Sequence, residues 1–285
     1  MKEQISIMLT IGEYHNLKID RDTDPGLFLV NEEGEEVLLP NKYKPEHFEL
    51  GDSLEVFVYL DHKERPVATT LRPFVKLDEF GYLECVEVSE IGAFMDWGLE
   101  KHLLVPYKEQ AVKMREGERY LIFCYLDELT GRLVGSSKIN AFLDNRTLTV
   151  EPFEEVEVII SNPTQMGWNV VVNQIHQGLL YKDEVFQELH EGDRLKAWVK
   201  KTRPDGKIDV ILQRPGYRSI EPNAQEILTQ LELRGGFIKL TDKSPPQIIE
   251  KELKMSKKSF KRALGSLYKQ RRVELKEDGI ALRKD

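Results

Sequence analysis

The sequence predicts a mainly β chain with a C-terminal α+β domain: three tandem five-stranded barrels, then a compact helical domain. Three observations carry this. A set of landmarks recurs at fixed offsets. Strand-like alternation of apolar residues follows each set. Beyond Glu221 the apolar period changes from two to 3.6.

The landmarks are Gly26, Pro40 and Gly51, then Gly92, Pro106 and Gly117, then Gly167, Tyr181 and Gly192, spaced 14 and 11 residues apart in every set. Into each middle landmark runs a short apolar segment: Val37-Leu38-Leu39, Leu103-Leu104-Val105 and Gly178-Leu179-Leu180. After each last glycine, residues alternate as a half-buried strand requires: Leu54, Val56, Val58; Tyr120, Ile122, Cys124; Leu195, Ala197, Val199. A turn and a further strand follow at Val67 to Leu71, Leu133 to Ser137 and Ile208 to Leu212. Five short strands in about 65 residues fit a small closed barrel of the OB type.

In the last segment Ala224, Ile227, Leu228 and Leu231 form one helical face, which Gly235-Gly236 ends. Ser244-Pro245-Pro246-Gln247 reads as an N-cap serine, a proline at the first helical position and a capping-box glutamine. Ser256 caps a third helix with the apolar face Phe260, Ala263, Leu264 and Leu267, and Val273 to Leu282 alternates around Asp278-Gly279 as a hairpin. Three helices and a terminal hairpin describe a winged helix. The expected domains are residues 1–75, 76–147, 148–219 and 220–285.

Composition narrows the function. An apolar fraction of 40% and a charged fraction of 32% fit folded domains, and no run approaches a membrane span. Cys85 and Cys124 lie in alternating apolar runs without metal-ligand spacing, so reduced, buried thiols and a cytoplasmic location are expected. No phosphate-cradling loop, His and Cys cluster or nucleophile elbow is present, and His102 and His176 near apolar strands read as structural. No enzyme, metal or cofactor is expected.

The net charge of −8 argues against a polyanion partner until it is divided by domain. Residues 12–74 carry −7, 77–142 carry −5, 153–217 carry −2 and 221–285 carry +5. Screening leaves phosphate attraction a range of about 8 Å, so local charge decides. On the third helix Lys258, Arg262, Gly265 and Lys269 lie opposite the apolar face, with Lys257 and Lys261 beside them and Arg271-Arg272 after. No acid occurs from Lys257 to Arg272, whereas a merely solvated face usually mixes signs. In the third barrel Lys196, Trp198 and Lys200 share the strand face opposite Leu195, Ala197 and Val199, and Lys201, Arg203 and Lys207 follow. Basic groups around an aromatic suit single-stranded nucleic acid. Phe57 and Tyr59, or Phe123 and Tyr125, hold the equivalent positions earlier, which fits an inter-domain packing role for the aromatic equally well.

The repeats resemble the S-one RNA-binding domain. The second is clearest: Gly81-Tyr82-Leu83, Ile91-Gly92-Ala93-Phe94-Met95, Leu104-Val105-Pro106, Gly117, a strand ending at Asp127, and Gly131-Arg132-Leu133. Three such repeats and a winged helix resemble the conserved virulence factor B family of Firmicutes over essentially the whole chain. By matching position, the resemblance implies RNA contacts from Phe28, Phe94, Asp61, Arg65, Asp127, Arg132 and Lys207. The position of the family's RNA-binding histidine holds Pro40, Pro106 and Tyr181, and a proline side chain cannot hydrogen-bond a base or phosphate, so the first two barrels are impaired on this criterion. In the third, Trp168-Asn169 follows Gly167 and Thr202 replaces the aspartate, leaving Trp168 and Tyr181 as stacking candidates. The expected function is post-transcriptional regulation through RNA, single-stranded RNA preferred, bound by the third barrel and the winged helix. The alternatives are a DNA-binding transcription regulator that uses the winged helix, and an adaptor whose acidic N-terminal barrels hold a basic protein.

Overall fold

The computed structural model describes residues 9–185, 187–213, 222–269 and 271–283, which form two compact units, residues 1–212 and 213–285. The expected boundary at 219/220 and the helix start at Glu221 lie outside the described residues.

In the first unit, β1 (Tyr14–Thr23), β2 (Gly26–Val30), β3 (Glu36–Pro40), β4 (Ser53–Leu60) and β5 (Pro66–Thr69) close into a barrel of order β1-β2-β3-β5-β4. The third repeat closes identically from β11 (Glu155–Pro163), β12 (Gly167–Val172), β13 (His176–Tyr181), β14 (Arg194–Thr202) and β15 (Ile208–Ile211). The second repeat, β6 (Glu79–Val88), β7 (Gly92–Asp96), β8 (Leu103–Pro106), β9 (Arg119–Asp127) and β10 (Arg132–Ser136), has the same order, but no ladder joins β8 to β10. Its seam is packed instead: a Cβ at Gly135 would lie 2.8 Å from the Val105 side chain, so the sheet is barrel-shaped without a hydrogen-bonded closure.

The recurring landmarks have a structural cause. The first and second are cross-strand partners, Gly26 with Pro40, Gly92 with Pro106 and Gly167 with Tyr181. Each of these glycines has φ between 152° and 157°, and a Cβ there would stand 2.0–2.3 Å from the carbonyl oxygen of Leu39, Val105 or Leu180. Only glycine admits so close a backbone. The third landmark turns the chain into the fourth strand: the amides of Gly51, Gly117 and Gly192 donate to the carbonyls of Ile19, Cys85 and Ile160 at 2.7–2.8 Å. A register shift in the first strand of each repeat, near Ile19, Cys85 and Ile160, bends it around the barrel.

The fourth-strand aromatics join barrels. Phe57 is fully buried against Trp97 of the second repeat, with ring centroids 5.9 Å apart, and Tyr59 and Val67 enter the same core. Phe123 packs on Phe80 and on Phe142 of the following linker, in a cluster with Ile159 and Val171 of the third repeat. In this unit the aromatics therefore serve packing. Trp198, their counterpart in the third barrel, is half-buried.

The second unit runs α1 (Pro222–Leu233), β16 (Phe237–Ile238), α2 (Pro246–Leu253), α3 (Lys257–Lys269), β17 (Val273–Leu275) and β18 (Ile280–Leu282), with sheet order β16-β18-β17. This is a winged helix. Ala224, Ile227, Leu228 and Leu231 pack with Phe260, Ala263, Leu264 and Leu267 in one core. The Ser256 hydroxyl accepts from the Ser259 amide at 3.1 Å and caps α3. Ser244 does not cap α2, contrary to the sequence reading. Its hydroxyl accepts from the Thr241 amide at 2.9 Å, and the helix starts one residue later. The reason is that Pro245 precedes another proline, whose ring disfavours helical ψ, so Pro245 stays extended at ψ 144°.

Candidate nucleic-acid interface

At ~100° per residue, the exposed residues Lys258, Lys261, Arg262, Gly265, Tyr268 and Lys269 fall on one side of α3, and the four buried apolar residues on the other. Arg271 and Arg272 are exposed where the helix ends, and half-buried Lys257 donates its Nζ to the Lys243 carbonyl at 3.4 Å. Tyr268, 55% exposed, was missed by the sequence reading, although its i+7 spacing from Lys261 was the available signal. It places an aromatic beside the cations, the combination that stacks bases while holding phosphates. Gly265 lies at the centre of this face with nothing within 4 Å of where a Cβ would stand. No packing among the described residues explains a mid-helix glycine that costs about 0.5–1 kcal/mol relative to alanine.

In the third barrel the structure separates the candidates. Lys196 and Lys200 project outward from β14 and pair with Glu155 and Glu184, and exposed Lys201 follows them. Such exposed pairs are weak and leave the lysines exchangeable. Arg203 and Lys207 line a separate cleft beside β12, β13 and β15, which none of these three lysines enters. Arg203 is held by the nearly buried Asp209 at 2.7 Å and donates to the Tyr181 hydroxyl, so it acts as a strut within the barrel face. Lys207 pairs with Asp205 at 3.0 Å, both well exposed. Tyr181 is half-buried, on the outward side of β13 with Leu179 and Gln177. Trp168 points inward instead: it pairs with Leu180 and packs on the barrel core, at the register of Leu27 and Ala93. The outward position at this register, where stacking was expected of Trp168, belongs to Asn169.

In the first two barrels the matched residues are engaged within the protein. Arg21 lies 4.2 Å above the Phe28 ring and is itself bound to Glu36. Asp61 accepts from the Lys63 and Arg65 amides and from the Arg65 guanidinium at 2.7 Å. Burial pushes the Asp61 carboxyl up, but these bonds outweigh it and hold the pKa at about 2. Asp127 accepts from the Leu129 amide at 2.9 Å and shapes its turn. Phe94 lines a cleft with Trp97, His102 and Arg132, and across it Arg132 pairs with Glu64 of the first barrel. Lys101, whose pKa burial lowers, donates to the Asp61 carbonyl at 2.8 Å. The turn of the first barrel thus occupies Lys101 and Arg132 of the second.

Among the described residues no group of three or more His, Cys, Asp or Glu side chains could hold a metal ion, and no helix is long and apolar enough to cross a membrane. Cys85 and Cys124 are buried free thiols, and burial pushes Cys124 up to about 12. His176 is fully buried: it accepts from the Thr149 amide at 3.1 Å through Nε2, which leaves Nδ1 to donate to the Asp144 carbonyl.

Residues 11–71 match the S1 domain, the S-one type, and residues 225–282 match the CvfB-like winged helix domain. Neither family is catalytic. The Bacillus subtilis (strain 168) protein YitL is 30% identical over 92% of this chain and 90% of its own. Conserved virulence factor B of Staphylococcus epidermidis is 24% identical over 83% of this chain and 82% of its own. A solved structure of a multidomain protein with nucleic acid binding domains from Streptococcus pneumoniae TIGR4 is 26% identical, covers 96% of this chain and 99% of that one, and has a TM-score of 0.41.

Proposed function

The chain belongs to the family of YitL and conserved virulence factor B, and on that premise we propose that it is an RNA-binding regulator acting on single-stranded RNA after transcription. The observation that carries this is the α3 face: six exposed residues with four cations, an aromatic and no acid, on a helix whose other side is core. In helix-turn-helix relatives this is the helix that meets nucleic acid. Three OB-type barrels favour a single strand over a duplex, because such barrels track unpaired chains. The third barrel supplies the second contact, through Lys207, the exchangeable Lys196, Lys200 and Lys201, and Tyr181 on the outward face.

A competition gel shift among single-stranded RNA, single-stranded DNA and duplex DNA of one sequence tests this reading. Single-stranded RNA is expected to compete best. Preference for the duplex would instead make the protein a DNA-binding regulator, and failure of all three would leave the acidic first two barrels, with a basic protein partner, as the business end.

Gly265→Ala offers an independent test of the α3 face. Alanine should stabilise the isolated helix by about 0.5–1 kcal/mol. If a phosphate backbone approaches closely at Gly265, the same methyl group should weaken RNA binding. A variant that melts higher and binds RNA as well as the parent would show that nothing closes on this glycine.

A further inference from the structure

We propose that the third barrel holds a pocket for one unstacked nucleobase, read by side-chain amides, an inference that rests on the RNA-binding reading above. The site is a half-open cavity of about 430 Å³, within the size range of small-molecule pockets. It exists because of one exchange. Phe28 and Phe94 pair with Leu38 and Leu104 on the outward faces of the first two barrels, whereas the same register in the third places Asn169 opposite Leu179. A short amide stands where a ring would fill the space.

The linker between the second and third barrels builds the opposite wall with Asn140 and Leu143, and Met166 before β12 adds a thioether. This wall is fixed. The Asn145 amide nitrogen donates to the Gln177 and Gly206 carbonyls, both at 2.8 Å, and its oxygen accepts from the Gln177 amide at 2.7 Å. A Cβ on Gly206 would lie 2.6 Å from the Asn145 carbonyl oxygen, so the linker and the β14–β15 turn are in direct contact. Buried His176 ties down the following linker residues, Asp144 and Thr149.

Inside this frame the side-chain amides of Asn140 and Gln177 have no hydrogen-bond partner among the described residues, and Asn169 spends only its nitrogen, on Asn162 at 3.3 Å. Each amide offers a donor beside an acceptor, the pattern that matches the polar edge of a base. Leu143, Leu179 and Met166 supply flat apolar contact for its faces. Lys207 at the rim adds a cation for the attached phosphate. Discrimination among bases therefore belongs to this pocket, and sequence-independent attraction to the α3 cations.

The test measures the intact protein against fluorescent ten-nucleotide strands of rA, rC and rU. The parent is expected to show a spread in affinity of about tenfold or more, the discrimination that one amide–base pair provides. In the Asn140→Ala, Gln177→Leu double variant the spread should shrink to about twofold, with the weakest strand bound as before. Each single substitution is measured beside the double, with thermal melting, so that a loss of fold in one does not decide the result. Binding of all three strands without a spread, or a spread that survives the substitutions, overturns the pocket and leaves RNA binding standing. No binding of any strand removes both.

Discussion

Replacing Lys258, Arg262 and Lys269 together with alanine is expected to weaken binding to every single-stranded RNA by a similar factor. All three side chains are exposed on the side of α3 opposite Phe260, Ala263, Leu264 and Leu267. Phosphate contacts carry no sequence information, so their loss should not change base preference. Each cation on a single strand contributes about 0.7 to the slope of log affinity against log salt, so the slope should fall by roughly 2. The loss should accordingly be largest at low salt and shrink as salt screens the parent. The fold should survive, because alanine is the best helix former and none of the three side chains enters the core. Titrations at several salt concentrations, with thermal melting alongside, check this. An unchanged slope with a lower melting temperature would make the face structural and sink the assignment.

The architecture was legible because its causes are local and repeated. A backbone approach that tolerates only glycine recurs at Gly26, Gly92 and Gly167, and it fixes a spacing that can be read without knowing the fold. The apolar faces of α1 and α3 were equally plain, since a 3.6-residue period leaves the core residues in view. The short strand β16 has two residues and no period to read. At the candidate site, legibility depended on direction rather than residue type. Trp168 and Asn169 are adjacent, and a one-residue step in a strand exchanges the core face for the outward face. Counting from Gly167 with the register of Phe28 and Phe94 would have chosen Asn169. Nor could charge alone show that Arg132 is held by Glu64, or Arg203 by Asp209, because those acids lie 68 and 6 residues away in sequence and meet their partners only in the fold. The amide pocket was invisible for the same reason: Asn140 and Asn145 belong to a linker, and only the packed structure lays that linker against β13.

The first two barrels are expected to lose stability together when Phe57 is replaced by alanine. Phe57 is fully buried, edge-on to Tyr14 of its own barrel at 5.2 Å and to Trp97 of the next at 5.9 Å. Removing such a ring costs about 3–5 kcal/mol, the lost transfer energy plus the cavity left behind. At about 2–4 °C per kcal/mol for a unit of this size, melting should fall by roughly 6–20 °C. RNA affinity of the folded protein should stay at the parent level, since this aromatic is spent on the junction. Phe28→Ala is the contrast: that ring is half-buried beneath Arg21 on the outward side of its barrel, and its loss should cost far less. Pairing Phe57→Ala with Trp97→Ala then isolates the contact between barrels, where an edge-to-face pair contributes about 0.5–1.5 kcal/mol beyond burial. A Phe57 variant that melts like the parent but binds RNA poorly would reverse the assignment and return the fourth-strand aromatics to the nucleic-acid face.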